Sequence, residues 1–362
     1  MELFRAPRAG SEWFIRTSSI GLPTDVTVRI AGAGLAGLVA ATTAARAGED
    51  VDVYEIKRHL LPSTGAHTEA LRNYESVDSL EELRSYGFKI RPFAEVHSAI
   101  RRSEHYENLV RGKSYYLFMR GREEYTVDQQ LYREAIDLGI RFHFGTKAPP
   151  EVEIIATGPP RHEFNMLAAG FTFTAEGSNL DPHTVIALLD NRVAPGGYLA
   201  ITPGVDYHSI YSGSWIDLDF GRVLGLAEKA FEIPWVREVL GRSRWVDKIH
   251  GTAYYARDPI ATAVRDRSLQ VGEAGGFQDA VAAYGFRYAV ITGALAARSV
   301  VERLDYPTLL TSRFKDEFEN AFAYRQKLNN ASNRDFDELV QALGPELTID
   351  EYRNLRGKLR TL

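Results

Sequence analysis

The sequence predicts an α/β fold in which a parallel sheet flanked by helices is combined with an inserted antiparallel sheet and a helical C-terminal extension. Three observations predict it. Residues 26–55 alternate strand-like and helix-like patterns around a glycine turn, residues 161–251 carry short strand-like runs between Gly and Pro turns, and residues 305–362 are polar with helical periodicity. With 362 residues, of which 44% are hydrophobic and 25% charged, the chain is long enough for two globular domains.

The first element is a β-branched run, Val26–Ile30, followed by three glycines at the G-x-G-x-x-G spacing. Such a strand, tight turn and helix start bind the pyrophosphate of a dinucleotide in a Rossmann-type domain. Gly32 lets the chain reverse, Gly34 lets the pyrophosphate approach the backbone, and Gly37 lets the new helix pack closely on the strand. The N–H groups at the helix start then face the phosphates. The residues predicted to lie around the pyrophosphate are Gly32, Gly34, Leu35, Ala36 and Gly37.

The second strand brings an acidic residue to the same place. An alanine-rich helix, Leu38–Ala47, stops at Gly48, and the strand Val51–Tyr54 is followed by Glu55. This acid lies about twenty residues beyond the glycines, where it is expected to bind a ribose 2′-hydroxyl. An unphosphorylated ribose belongs to FAD or NAD rather than NADP. Two further residues of the predicted site follow directly, Ile56 and Lys57.

Residues 59–158 complete the first part of this domain. A loop, His59–Asn73, is predicted to carry Arg72 near the cofactor, and Ser79 is predicted to open a capping box for a helix that ends at Gly87. The elements predicted next are the strand Tyr115–Met119, a helix from Asp128 to Gly139, the strand Ile140–Phe144 and the apolar strand Val152–Ala156. The last of these is interpreted as a central strand whose carboxyl end, at Thr157 and Gly158, faces the ligand.

The middle of the chain is interpreted as a separate lobe that faces the substrate. An amphipathic helical pattern over Leu224–Leu240 is interrupted at Pro234. The strand-like runs are Phe171–Phe173, Tyr198–Thr202, Ser209–Ser212 and Trp215–Asp219. The predicted division of the chain is an N-terminal arm at 1–24, an FAD-binding domain in two parts at 25–160 and 252–304, a substrate domain at 161–251, and a helical C-terminal extension at 305–362.

A second glycine turn follows more than two hundred residues after the first. Residues 269–277, Leu-Gln-Val-Gly-Glu-Ala-Gly-Gly-Phe, predict a strand, a turn that carries Glu273, and a second helix N-terminus. With the first motif, this segment resembles the FAD-dependent oxidoreductases of the p-hydroxybenzoate hydroxylase fold, and within them the geranylgeranyl reductase branch. FAD is predicted rather than NAD because FAD is long enough to be bound a second time, at its ribityl end, by this second glycine segment. The residues that the resemblance assigns to the flavin are Gly272, Glu273, Gly275, Gly276 and Phe277.

The resemblance implies a reaction as well as a cofactor. The leading hypothesis is reduction of a carbon–carbon double bond in an isoprenoid-type or other apolar small molecule, with hydride from the reduced flavin. The electron donor is expected to be NAD(P)H or a reductase protein. One alternative is a flavin-dependent monooxygenase that hydroxylates a small aromatic or apolar substrate, and another is a non-catalytic module that binds FAD or NAD. The helix start at Gly275–Phe277 is expected to place a positive dipole at the flavin N1/O2 edge.

Four features depart from the pattern of these families. Glu273 stands where they have Asp, and Ala280 stands where they usually have proline. Ala156-Thr157-Gly158 replaces the Gly-Asp-Gly of aromatic hydroxylases, which counts against the monooxygenase alternative. Only Gly145–Glu151 separates two predicted strands, a segment too short for the small β-meander of relatives.

Composition excludes several classes of function. Without cysteine there is no redox dithiol, thiolate nucleophile or Cys-based zinc site. A net charge of −5 gives no reason to expect nucleic acid. No apolar run approaches the roughly 18 residues of a membrane span, and the N-terminus lacks the core of a signal peptide, so a cytoplasmic protein is expected. A basic last helix, opened by a capping box at Thr348–Glu351, is interpreted as solvated rather than membrane-bound.

The catalytic residues are left unassigned by the sequence. The candidates for a proton donor or a cavity wall are Tyr254, Tyr255, Tyr284, Tyr288 and His208. His59, His67 and His97 lack the spacing of metal ligands, so no metal is predicted.

Overall fold

A computed structural model describes residues 27–60, 67–160 and 163–359 of the chain. The predicted arm at 1–24, Val26, the loop residues Pro62–Gly65 and the basic Arg360 lie outside these residues. The strands of the described part are β1 Val28–Ala31, β2 Val51–Glu55, β3 His67–Arg72, β4 Ala94–Arg102, β5 Glu107–Arg120, β6 Arg141–Phe144, β7 Ile154–Ile155, β8 Met166–Thr174, β9 Thr184–Leu188, β10 Tyr198–Thr202, β11 Tyr207–Ser214, β12 Trp245–Ala253, β13 Val264–Arg265, β14 Ser268–Gln270 and β15 Glu346–Thr348. The helices are α1 Leu35–Arg46, α2 Ser79–Ser85, α3 Val127–Asp137, α4 Phe220–Lys229, α5 Pro234–Leu240, α6 Phe286–Glu302, α7 Tyr306–Asn329, α8 Asn333–Leu343 and α9 Ile349–Leu359.

The first sheet has six strands in the order β13-β14-β7-β1-β2-β6, parallel except for the β13–β14 pair. Its centre is β1, where Ile30 is fully buried between Val53 of β2 and Ile154 of β7. The predicted central strand at 152–156 is therefore confirmed. Helices α1 and α6 pack closely on each other, because a Cβ at Gly293 would lie 2.4 Å from the carbonyl oxygen of Ala36.

The second sheet has nine strands in the order β12-β8-β11-β10-β9-β4-β5-β15, with β3 also paired to β5. Neighbouring strands are antiparallel except for the parallel pairs β4–β9 and β5–β15. Its strands come from residues 67–120, 166–253 and 346–348, on both sides of the predicted boundary between 160 and 161. One face is covered by α4 and α5 and is apolar, with Leu199, Ile201 and Ile210 almost completely buried.

The C-terminal helices pack back onto both sheets. Helix α7 lies on α6 through the rings of Phe314 and Phe318, which contact Tyr288. Arg287 of α6 is buried and pairs with two carboxylates, Glu82 at 2.6 Å and Glu317 at 2.9 Å. The predicted helices after residue 305 are confirmed, and so is the capping box in which Thr348 and Glu351 exchange hydrogen bonds.

One predicted loop and one predicted helix cap were wrong. Residues 67–72 of the predicted loop form β3, because Arg72 pairs with Tyr115 and His67 with Arg120 of the distant β5. The cap of α2 is Asp78 rather than Ser79. Asp78 Oδ1 accepts hydrogen bonds from two backbone N–H groups of the first turn, whereas Ser79 is the first helical residue and is buried.

The predicted strand over Trp215–Asp219 was also wrong. Strand β11 ends at Ser214, whose hydroxyl oxygen accepts hydrogen bonds from the N–H groups of Ile216 and Asp217. Such a serine turn offers the backbone an alternative to the sheet ladder. The chain then enters α4, for which Asp219 is the N-cap.

Candidate cofactor-binding site

The first glycine turn leaves one open approach to the backbone. Gly32 has a φ of +100°, and a Cβ there would lie 2.4 Å from the carbonyl oxygen of Ala156. A Cβ at Gly37 would lie 2.0 Å from the carbonyl oxygen of Gly32, so α1 sits directly on the turn. Gly34 is different, because it is exposed and a Cβ there would meet no protein atom within 4 Å. Gly34 is therefore where a ligand can reach the backbone.

The helix start beside Gly34 suits an anion. Gly34 is the N-cap of α1, and no side chain accepts a hydrogen bond from the N–H groups of the first turn. That turn contains no acidic residue, so the positive end of the helix is not neutralised. The side chains of Leu35 and Ala36 are buried, so these residues would bind an anion through their backbone N–H groups. These features fit a pyrophosphate.

Glu55 is held against this turn. Its Oε2 accepts a hydrogen bond from Ala33 N at 2.9 Å, and its Oε1 accepts one from Lys57 N at 2.9 Å. Each carboxylate oxygen has a second lone pair, so the group can still accept a hydrogen bond from a ribose hydroxyl. The side chain of Ile56 is 63% exposed and points into solvent beside it.

Three parallel strands end together at this edge of the sheet. Thr157 follows β7 and is exposed. It lies against Gly32, because a Cβ added at Gly32 would be 3.1 Å from Thr157 N. Gly158 is next in the chain with a φ of +77°. The carboxyl edge of a doubly wound sheet is the usual place for a ligand. Gly32, Gly34, Glu55 and Thr157 are thus brought together as the sequence predicted.

The second glycine segment adjoins the first. Gly272 follows β14 with a φ of +56°, and a Cβ there would lie 3.2 Å from the Cβ of Ala36. Its N–H donates to Thr292 Oγ1 of α6 at 2.9 Å. Gly32 and Gly272 are 240 positions apart in the sequence. Their two segments nevertheless form one continuous site.

The predicted helix start at Gly275–Phe277 was wrong. Gly272–Gly275 is a short 3₁₀ turn, and Gly276 at a φ of +71° ends it in the left-handed region. Helix α6 begins at Phe286, and its N-cap, Gly285, provides no side-chain cap. The ring of Phe277 is fully buried against Phe318, so only the backbone of Phe277 is available to a ligand.

Glu273 carries a buried carboxyl group in this segment. Its Oε1 accepts a hydrogen bond from Tyr254 N at 3.1 Å and a weaker one from Gln278 Nε2 at 3.4 Å. Burial, helped by the nearby carboxylate of Glu69 and opposed by the two hydrogen bonds, raises the pKa of Glu273 to about 7. The carboxyl group is thus a neutral or weakly charged acceptor near neutral pH.

Arg72 belongs to a network that the sequence did not reveal. Its guanidinium pairs with the carboxylate of Asp279, and both side chains are almost completely buried. It also lies 5.5 Å from the ring centre of Tyr284. Asp279 is near the second glycine turn in the sequence, but an acid that is only 1% exposed cannot be recognised from composition.

The five candidate proton donors occupy different environments. The hydroxyl of Tyr288 donates to Glu317, and the ring of Tyr255 packs on Phe322. His208 lies on the apolar face of the second sheet against Phe173, where burial lowers its pKa. Tyr254 is half-buried, with its N–H on Glu273. Of the five, Tyr284 contacts Arg72.

Within residues 27–60, 67–160 and 163–359, no helix combines the length and the apolar character that a membrane span requires. The same residues contain no group of three or more His, Asp or Glu side chains that could hold a metal ion.

The architecture defines the class of fold. Two glycine segments meet at the carboxyl edge of a parallel sheet, and a large, mostly antiparallel sheet is joined to it. This is a Rossmann-type fold combined with a second sheet, an arrangement shared with flavoproteins of the p-hydroxybenzoate hydroxylase fold.

Comparisons with known proteins agree with this class. Residues 30–78 match the family of NAD(P)-binding Rossmann-like domains. A geranylgeranyl bacteriochlorophyll reductase-like protein from Thermoplasma acidophilum is 17% identical with a TM-score of 0.72, covering 90% of this chain and 93% of that one. A flavoprotein/dehydrogenase from Cytophaga hutchinsonii is 15% identical with a TM-score of 0.68, covering 92% of each chain. The flavin-dependent brominase Bmp2 is 15% identical with a TM-score of 0.60, covering 88% and 94%. No curated protein sequence is significantly similar. The predicted fold is confirmed.

Proposed function

We propose that the protein is an FAD-dependent oxidoreductase. The observation that carries the proposal is the open backbone at Gly34, with the carboxylate of Glu55 beside it and the second glycine segment packed against the same helix start. A nicotinamide dinucleotide needs only the first glycine turn and its acid, whereas FAD is also held at its ribityl end, where the second glycine segment lies. Two of the solved structures with this fold are a flavoprotein/dehydrogenase and a flavin-dependent brominase.

Different residues of the chain would bind different parts of FAD. The uncapped N–H groups after Gly34 would bind the pyrophosphate, and Glu55 would accept a hydrogen bond from the adenosine ribose. Glu273 would meet a ribityl hydroxyl, with its carboxyl oriented by the N–H of Tyr254. Bound FAD supplies two-electron redox chemistry that the side chains lack.

The leading reaction is reduction of a carbon–carbon double bond in an apolar or isoprenoid-type substrate. It is supported by the fold shared with a reductase-like protein, at 17% identity. Electrons would come from NAD(P)H or from a reductase protein. The second candidate is a monooxygenase acting on a small aromatic molecule, and the polar, aromatic side chains around Arg72 and Tyr284 favour it.

One series of experiments tests the proposal. One portion of the purified protein is denatured and the released chromophore is identified, and a second portion, freed of cofactor without unfolding, is titrated with FAD, FMN, NAD and NADP. FAD binding in clear preference to the other three supports the proposal, and failure to bind FAD contradicts it.

The reaction is then assigned with the FAD-loaded protein. After anaerobic reduction by NADH, NADPH or dithionite, reoxidation by an alkene without oxygen supports the reductase. Oxygen consumption with formation of a hydroxylated product supports the monooxygenase. If the bound flavin accepts electrons from none of these donors, the result supports a non-catalytic FAD-binding module.

A further inference from the structure

The face of the second sheet that lies opposite α4 and α5 carries a cluster of arginines and tyrosines. We call it the arginine–tyrosine face. Its members are Arg72 of β3, Arg101 of β4, Tyr115 of β5, Tyr198 of β10 and Tyr211 of β11. We propose that this face holds the oxyanion of the substrate, a carboxylate or a phosphate monoester, with Arg101 as its principal anchor. The proposal rests on the proposed function and narrows its substrate class.

Contacts place these side chains around one region. Tyr198 donates to the carbonyl oxygen of Ala282 at 2.7 Å, and the ring of Tyr115 is 5.7 Å from that of Tyr284. Both partners belong to the segment between the second glycine turn and α6. Arg72 meets the same segment at Asp279. The arginine–tyrosine face therefore lies next to the proposed flavin site.

One of the two arginines of this region has no ion-pair partner in the described part of the chain. Arg72 is neutralised by Asp279, but Arg101 has no carboxylate partner within the residues that the structure describes. Its Nη1 is buried and makes no hydrogen bond, and its guanidinium lies 4.3 Å from the ring centre of Tyr352 and 5.4 Å from that of Tyr74. Aromatic faces offset part of the cost of a desolvated cation, but Nη1 still lacks an acceptor. An oxyanion supplies both the charge and the acceptors.

The tyrosines add hydrogen-bond donors. Tyr74 donates to the hydroxyl oxygen of Tyr115 at 3.0 Å, and burial raises the pKa values of Tyr198, Tyr211 and Tyr284. These hydroxyl groups are therefore neutral at physiological pH. Because the hydroxyl of Tyr198 already donates to the carbonyl oxygen of Ala282, the hydroxyls of Tyr211 and Tyr284 are the donors left for a ligand.

The arginine–tyrosine face also has accessible surface, unlike the face behind it. Arg101, Tyr198 and Tyr211 are each only partly buried. On the same strands, Leu199 and Ile210 of the opposite face are at most 1% exposed. Solvent therefore reaches side chains on the polar side of the sheet but not those on the apolar side.

Three small aromatic probes test the proposal, and the neutral one has the shape of the carboxylate. Benzoate, phenyl phosphate and the neutral benzamide are titrated into the FAD-loaded protein at constant ionic strength, and binding is followed by the flavin absorption spectrum and by the thermal unfolding midpoint. At least one of the two anions should bind, and benzamide should bind at least about tenfold more weakly. The better anion distinguishes a carboxylate from a phosphate site.

Variants locate the site. Arg101→Gln should weaken the better anion about thirtyfold, whereas Arg101→Lys should keep most of the affinity because it keeps the charge. The control is Arg334→Gln on the exposed surface of α8, which should bind as the wild type does. If Arg101→Gln fails to fold, Tyr284→Phe replaces it and should weaken the anion about fivefold by removing one donor.

The outcomes separate this proposal from the function proposed above. Equal binding of benzamide and the anions, unchanged anion binding in the folded variants, or no binding of either anion would overturn it. The FAD content of each protein is measured independently, and the thermal unfolding arm is repeated without FAD. A protein that binds no FAD but still binds anions through Arg101 would refute the oxidoreductase and retain the anion site.

Discussion

Replacing Glu273 by Gln should stabilise the cofactor-free protein at alkaline pH. The carboxyl group is buried and accepts hydrogen bonds from Tyr254 N and Gln278 Nε2. An amide oxygen in its place can accept the same two hydrogen bonds. Glu273→Gln keeps the shape and the acceptor but removes the proton equilibrium. The substitution therefore isolates the cost of ionising this group in the folded protein.

The magnitude follows from the pKa of Glu273. Burial raises it from an ordinary value of 4.5 to about 7. Because the folded-state pKa is the higher one, its contribution to stability is fully present below pH 4.5 and is lost as the pH rises through 7. The difference, 7 minus 4.5 or about 2.5, corresponds to an upper value of about 3 kcal/mol in the free energy of unfolding.

The assay is urea unfolding of the cofactor-free protein at pH 5 and pH 8. The free energy of unfolding of the wild type should fall between these pH values by about 2–3 kcal/mol more than that of Glu273→Gln. Glu176→Gln, on the exposed surface, is the matched control and should follow the wild type. The same pH dependence in the wild type and in Glu273→Gln would refute the argument that this carboxyl group is forced to ionise in a buried place.

Three further substitutions have expected outcomes. Glu55→Ala should lower the affinity for FAD about tenfold, because a charged acceptor for the ribose hydroxyl is lost; an unchanged Kd in an FAD titration would contradict this. Gly37→Ala should lower the free energy of unfolding by about 2–3 kcal/mol, because its Cβ would lie 2.0 Å from the carbonyl oxygen of Gly32, and wild-type stability in urea would disprove this packing. Arg287→Met should lower the free energy of urea unfolding by about 2–3 kcal/mol, because Glu82 and Glu317 lose one of the two arginines that they share and keep only Arg313; a loss below about 1 kcal/mol would show that the pairs contribute little.

The glycine turn and its two strands could be predicted because their signals are local. The β-branched run before Gly32, the three glycines and the acid at position 55 all lie within about thirty residues, and each has one structural reason. The structure places Glu55 on Ala33 N, as that spacing requires.

Features that depend on distant partners could not be predicted. β3 has no strong strand pattern of its own and is extended because β5, more than forty residues later, pairs with it. The pairing of Arg72 with Asp279 joins residues 207 positions apart. The glycines at 275 and 276 suggested a helix start, but the left-handed backbone at Gly276 ends the turn before a helix can form.

The unpaired charge of Arg101 was also invisible in the sequence. In β4 it is one of two consecutive arginines, and only the packing of the sheet separates them. Arg102 pairs with Glu107, whereas Arg101 lies among tyrosine rings. The polarity of the arginine–tyrosine face is therefore a property of the folded sheet.

The most direct test of the account compares FAD binding by the wild type, Gly34→Val and Gly251→Val. A Cβ at either glycine would meet no protein atom within 4 Å, and neither has a positive φ, so both variants should unfold as the wild type does. The account predicts that Gly34→Val loses at least about a hundredfold in FAD affinity, because its side chain fills the approach to the backbone, while Gly251→Val binds FAD normally. Undiminished FAD binding by a folded Gly34→Val protein would contradict the assignment of this turn as the cofactor site.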